Sequence, residues 1–129
     1  MPKLSKRLTP SIQKLDSLAK LGVIYRDRHL GPMCRICGNR PWVVAYHIVP
    51  KQRGNAVRWV LSNIVLACTN CNYGEMRNRS LYRDKHIVIF GKEYVERIEQ
   101  VARDGNGKQV DKFAVLAELK RYIEQGKYK

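Results

Sequence analysis

The chain has 129 residues, with 25 Lys and Arg against 11 Asp and Glu and a formal net charge of +14. That length gives one domain with a real core, and no apolar run approaches the length needed to cross a bilayer. The N-terminal stretch MPKLSKRLTPSIQ is basic but has no apolar h-region, so a cytoplasmic chain is expected.

The first helix is signalled by Thr9 as N-cap and Pro10 at the first helical position. Ile12, Leu15, Leu18 and Leu21 give it one apolar face, and Gly22 is expected to end it. Gly31-Pro32 then breaks the chain just before the pair Cys34/Cys37. Residues 42–49, WVVAYHIV, are β-branched and aromatic, and Pro50 closes that strand. A polar loop with Gly54-Asn55 follows, after which residues 57–67, VRWVLSNIVLA, are placed as an antiparallel return. A helix starts near Thr69 or Asn70 and carries CNYGEMRNR. From Leu81 the pattern reads either way, because HIVIF is rich in strand formers inside a segment that also suits a helix. Residues 92–103 have helical periodicity, DGNG (104–107) is a turn, and 111–125 form a last amphipathic helix. The expected class is α+β, with a helical segment over 1–30, a cysteine-clamped core over 31–91 and a helical tail over 92–129.

Charge is not spread evenly along these elements. Residues 1–92 hold 17 Lys and Arg against 4 Asp and Glu, while residues 93–129 hold 8 against 7. The positive field therefore travels with the cysteines and histidines. A basic face of this size favours a polyanion, because each neutralised phosphate releases condensed counterions. Anionic lipid is the weaker partner, since no basic amphipathic helix adjoins an apolar anchor.

All four cysteines fall into two CxxC pairs, Cys34/Cys37 and Cys68/Cys71, with 30 residues between the pairs. Four thiolates at this spacing wrap one tetrahedral zinc, each pair forming a knuckle, and Gly38 suits the sharp turn after the first pair. Disulfides are disfavoured in a cytosolic chain. A thioredoxin-like role needs one CxxC beside a βαβ pattern rather than two pairs. A metal held by four sulfurs has no open position, so its expected role is structural.

Between the clamps lie His47, at the end of the first strand, and Asn63, near the second; Asn72 follows directly after the last cysteine. The order His, Asn, Asn across two CxxC pairs resembles the HNH, or ββα-metal, nucleases. The run CRIC, AYH, VRWVLSN, CTNCN is similar to the lambdoid-phage NinG (Rap) recombination proteins, as is the continuation RSLYRDKHIVIFGKEYVERIEQ. CTNCNYGEMRNR is similar to the phage endonuclease VII resolvases. The resemblance covers about residues 30–100. It implies a zinc-clamped ββα-metal core hydrolysing DNA phosphodiester bonds at branched recombination intermediates such as Holliday junctions, in a bacterial host if a phage encodes the chain. His47 is then the general base, Asn63 the loop support, and Asn72 the ligand of a catalytic Mg²⁺ or Mn²⁺. Glu75, one helical turn on, is placed to bind that metal or its water. Lys51, Arg53, Arg58, Arg77 and Arg79 are placed on DNA phosphates.

One departure matters. Many HNH nucleases carry Asp, Glu or His directly before the base, where this chain has Tyr46. Either Asn72 with phosphate oxygens and water suffices, or Glu75 substitutes, or the protein binds DNA without cutting it. The alternatives to a junction enzyme are a nickase or homing-type enzyme on duplex DNA and a non-catalytic zinc-ribbon protein. His29 and His86 are expected to face solvent or phosphate, and Trp42, Trp59 and Tyr73 to belong to the core. The apolar stripe Phe113, Leu116, Leu119 and Ile123 is open to two uses, packing on the chain's own core or forming a homodimer.

Overall fold

Side-chain alternation along two short strands decides the layering of this protein. In a computed structural model that describes residues 8–51 and 55–126, β1 (Val44–His47) pairs antiparallel with β2 (Ile64–Ala67). Arg53 and Gly54 lie outside the described residues. The helices are α1 (Ile12–Asp27), α2 (Thr69–Arg77), α3 (Arg79–Phe90), α4 (Lys92–Asp104) and α5 (Lys112–Gly126), which makes the fold α+β as expected. None is long and apolar enough to cross a membrane, among the described residues.

A two-stranded sheet cannot stand alone in water, and here both of its faces are covered. Every residue of β2 is buried. Ile64 and Leu66 point into a cluster with Leu15, Ala19 and Val23 of α1, Trp59, and Leu119 of α5. Val65 and Ala67 point the other way, into a cluster with Tyr46, the cysteines, and Val95, Ile98 and Ala102 of α4. The hairpin is thus the middle layer of three. Leu119 and Ile123 of α5 are buried, and α5 packs against α1 of the same chain. Three of the four residues of the apolar stripe considered for a homodimer, Leu116, Leu119 and Ile123, are therefore used internally.

Several boundaries differ from the sequence expectation, each for a physical reason. Helix α1 is capped by Ser11, whose side chain accepts from the Lys14 N–H, rather than by Thr9. Gly22 does not end it. It sits inside the helix where a Cβ would come within 3.3 Å of Leu61 and 3.5 Å of Tyr122, so it serves close packing instead. The buried face accordingly runs through Leu15, Ala19, Gly22 and Val23, while Ile12 and Leu21 remain exposed.

The apolar stretch 57–67 is a strand only over its last four residues. Before that the chain turns, sending Val57 to one cluster and Trp59 to the other, and a single 3₁₀ turn over Leu61–Asn63 leads into β2. The ambiguous segment from Leu81 is helical throughout α3. Asn78 caps it by accepting from the Leu81 N–H, and Tyr82, Ile87 and Phe90 pack inward at helical spacing while Val88 faces out.

Asn63 holds the loop between the strands. It is fully buried, its Oδ1 accepts from the Val49 N–H at 2.7 Å, and its Nδ2 donates to the carbonyls of Val49 (3.0 Å) and Val57 (3.1 Å). One amide satisfies three buried backbone groups. Replacing Asn63 with Ala leaves them without partners, at about 1–3 kcal/mol for an unsatisfied group. Asn63→Ala is expected to lower the urea midpoint by an amount equivalent to about 3 kcal/mol or more, with an unchanged slope, in a denaturation experiment.

Candidate functional site

The four cysteine sulfurs meet in one place. All lie within 4.8 Å of one another, and Cys37 Sγ is 3.8 Å from Cys68 Sγ. Zinc–thiolate bonds of about 2.3 Å at tetrahedral angles put neighbouring sulfurs about 3.8 Å apart, so the cluster fits one such ion. Gly38 adopts φ +70°, the left-handed turn that closes the first knuckle and that glycine tolerates best. The backbone aims N–H groups at the sulfurs: Ile36 and Cys37 at Cys34, Asn39 at Cys37, and Cys71 at Cys68. Burial pushes the Cys34 thiol up, but these N–H donors outweigh it and bring the group down to about 7. Burial and the neighbouring sulfurs push the Cys71 thiol up, and a cation among the sulfurs would favour its ionised form. The Arg35 N–H bonds the Leu66 carbonyl at 2.9 Å, which ties the first knuckle to β2.

His47 and Tyr46 are neighbours on β1 and so face opposite layers. His47 lines a cleft of about 180 Å³ on the α1 side, with Asp16, Ser17 and Lys20 from the helix and Lys51 and Arg58 from the loop. Its Nε2 lies 2.8 Å from the carbonyl of Arg58. A carbonyl only accepts, so Nε2 carries the proton and Nδ1 is left as the acceptor. Burial lowers the imidazole to about 4, with the Arg58 carbonyl pulling the other way. The ring is therefore neutral throughout the physiological range.

Arg58 does not reach outward with its full fork. Its Nε and Nη2 bind the Asp16 carboxylate at 3.0 and 2.8 Å, and Trp59 Nε1 donates to the same carboxylate at 2.8 Å. Burial pulls the Asp16 carboxyl upward, but the Arg58 and Trp59 hydrogen bonds prevail and hold it below its ordinary value. Lys51, Arg77 and Arg79 are exposed.

Across the hairpin, a second cleft of about 350 Å³ is lined by Ile48, Val49, Pro50, Glu75, Arg79, Arg83, His86 and Glu99, among others. Glu75 is buried there, with Arg79 Nε at 3.9 Å, and burial raises its carboxyl above the ordinary range. His86, expected to face solvent or phosphate, is instead 2 % exposed and hydrogen-bonded to the Tyr46 hydroxyl. Burial lowers its imidazole to about 4 and raises the Tyr46 phenol, so the pair is neutral. Sequence reasoning missed this pair. The signal was the helical spacing of Tyr82, His86 and Phe90, which puts the histidine on the inner face of α3. Trp59 is buried as expected, whereas Tyr73 is 59 % exposed rather than in the core.

The expected constellation is thus divided. His47, Lys51 and Arg58 share the α1-side cleft, and Glu75 and Arg79 share the other. Asn72, half-buried on α2 one residue after Cys71, lines neither. Among the described residues the cysteines are the one group of three or more His, Cys, Asp or Glu that converge on a common point. Comparison with protein-family models, with curated proteins and with solved structures finds no match for the chain.

Two measurements follow from this geometry. Cys37→Ser or Cys68→Ser is expected to lower bound zinc from one per chain to well below one and to reduce the protection of the β2 amides from hydrogen exchange. Imidazole ¹⁵N shifts at pH 5.5 are expected to show His47 neutral, where an ordinary histidine near 6.5 is mostly protonated.

Proposed function

We propose that the protein is a metal-dependent DNA endonuclease of HNH type, with structural zinc at Cys34, Cys37, Cys68 and Cys71. The observation that carries this reading is the neutral His47, fixed by the Arg58 carbonyl at a cleft that also holds Lys20 and Lys51. A phosphodiester seated against those cations places a water within reach of an imidazole whose free nitrogen accepts a proton. The water oxygen bonds to phosphorus, its proton passes to Nδ1, and the bond to the leaving 3′ oxygen breaks. Asn63 supports the chemistry indirectly, since it pins Val49 and Val57 on either side of the loop that carries Lys51.

A hard divalent cation, when bound, stabilises the charge that builds on the phosphate oxygens. The resemblance assigns Asn72 and Glu75 of α2 to Mg²⁺ or Mn²⁺, but Glu75 lines the cleft across the hairpin from His47 and Asn72 lines neither cleft, so these two side chains as placed do not form one site with His47. The resemblance to the junction-acting phage proteins makes branched DNA the preferred substrate, and a homodimer would bring two His47 centres to a two-fold junction.

A second reading is supported by one observation. Tyr46 stands where many of the resembled nucleases have an acidic ligand, and its hydroxyl is taken by the buried His86. A protein with that position closed would bind DNA without cutting it.

Incubation with plain duplex and four-way DNA in Mg²⁺ or Mn²⁺ separates the readings. Cleavage is expected, with His47→Ala slowing it by about 10²–10⁴-fold while zinc content and DNA affinity hold. Wild-type protein that binds both DNAs and cuts neither supports the binding-only reading. Neutralising Lys51, Arg77 or Arg79 singly is expected to weaken binding to all sequences alike. Each should reduce the slope of log affinity against log salt by about 0.9.

A further inference from the structure

We propose that Asp16, on the first helix, is a positioning residue for His47, acting through the backbone of Arg58. The inference rests on the nuclease reading for its catalytic consequence, but its geometry stands apart from it. The carboxylate accepts three hydrogen bonds from two consecutive residues of the loop: Arg58 Nε, Arg58 Nη2 and Trp59 Nε1. A two-pronged arginine–carboxylate pair fixes direction as well as distance. With the side chains of residues 58 and 59 both anchored to α1, the peptide between them has little freedom to rotate. The carbonyl of that peptide is the one that accepts the His47 Nε2 proton. Asp16 therefore sets the orientation of a ring that it does not itself touch.

The surroundings make the clamp selective for this arrangement. The charged groups around His47 are Asp16 and Lys20 from α1 and Lys51 and Arg58 from the loop. Lys20 is held over the Trp42 ring and donates to the Val43 carbonyl at 3.0 Å, and Asp16 is the carboxylate among the residues that line the cleft. Without it, the Arg58 guanidinium would lie unpaired beside a ring that must take up a proton. Asp16 thus removes a competing positive charge and fixes the tautomer together. Sequence reading gave no sign of this, because Asp16 sits 31 residues before His47 in an element expected to be a flanking segment.

The test uses two variants of the full chain that break the same clamp from either side. Asp16→Asn keeps an acceptor for Trp59 but loses the charged fork; Arg58→Lys keeps the charge and the backbone carbonyl but loses the fork geometry. Proton NMR of the zinc-loaded protein should show a His47 Nε2–H resonance slowed in exchange with water, identified by its loss in His47→Gln. Both variants are expected to lose that resonance at unchanged zinc content. In cleavage assays kcat should fall about a hundredfold with KM nearly constant, the mark of a misplaced group rather than a lost phosphate contact. The double variant should be no worse than either single one. A resonance that survives in both variants, or a kcat that does not move, overturns the proposal. If Asp16→Asn fails to fold, Arg58→Lys decides alone. If wild type cuts nothing, the nuclease reading falls, and the ring N–H signal by itself decides whether Asp16 positions His47.

Discussion

A hairpin of two four-residue strands is too small to hold itself together, and the rest of this chain is arranged around that constraint. Because all of β2 is buried, neither face can be left to water, and each needs its own layer. On one side α1 and α5 supply it with aliphatic side chains. On the other the cover is mixed: cysteine knuckles, the inner face of α2, and α4. The clustered cysteines are buried there among the apolar side chains and form part of that layer. Arg26 adds to the same purpose from α1, donating to the carbonyls of Leu61 (2.7 Å) and Ile64 (2.8 Å) where the chain enters β2. Part of the basic composition is thus used to finish backbone hydrogen bonds.

The two-sided burial also decides the chemistry. Consecutive residues of β1 must serve different layers, so Tyr46 and His47 have separate environments although one peptide bond joins them. Tyr46 closes a neutral, buried pair with His86. His47 keeps a half-open position beside lysines and a clamped arginine. Both histidines are neutral at physiological pH because burial disfavours their charged forms. The cleft at His47 sets Lys20, Lys51 and Arg58 against Asp16, while the one at His86 sets Arg79, Arg83 and Arg103 against Glu75 and Glu99. The hairpin acts as a partition between them.

What the sequence made legible follows from how local each signal is. The cysteine pairs, Gly38, the start of α2 and the last two helices are governed by neighbours a few residues away, and they stand as read. The role of Asn63 as a loop support matches its three hydrogen bonds to Val49 and Val57. The misread positions depend on distant partners. Gly22 looks like a helix stop until Leu61 and Tyr122 are packed against it. His86 looks exposed among Arg83, Asp84 and Lys85 until the helical face of α3 turns it toward Tyr46. Arg58 looks like a phosphate contact until Asp16, 42 residues earlier, takes its guanidinium. Residues that join separate elements carry no local signature, and the candidate site is built largely from such residues.

The packing of α1 on α5 has a consequence for how the chain is made. These helices lie near opposite ends of the sequence, residues 12–27 and 112–126, and they bury Leu15, Ala19, Val23 and Leu119 in one cluster. During synthesis α1 emerges before α5, and part of its apolar face has no permanent cover until α5 has left the ribosome. The cysteine knuckles and the hairpin have partners that lie closer in sequence and emerge earlier. The nascent chain therefore carries the hairpin and its cysteine knuckles beside an exposed helix, the kind of partly covered intermediate on which chaperones and aggregation compete.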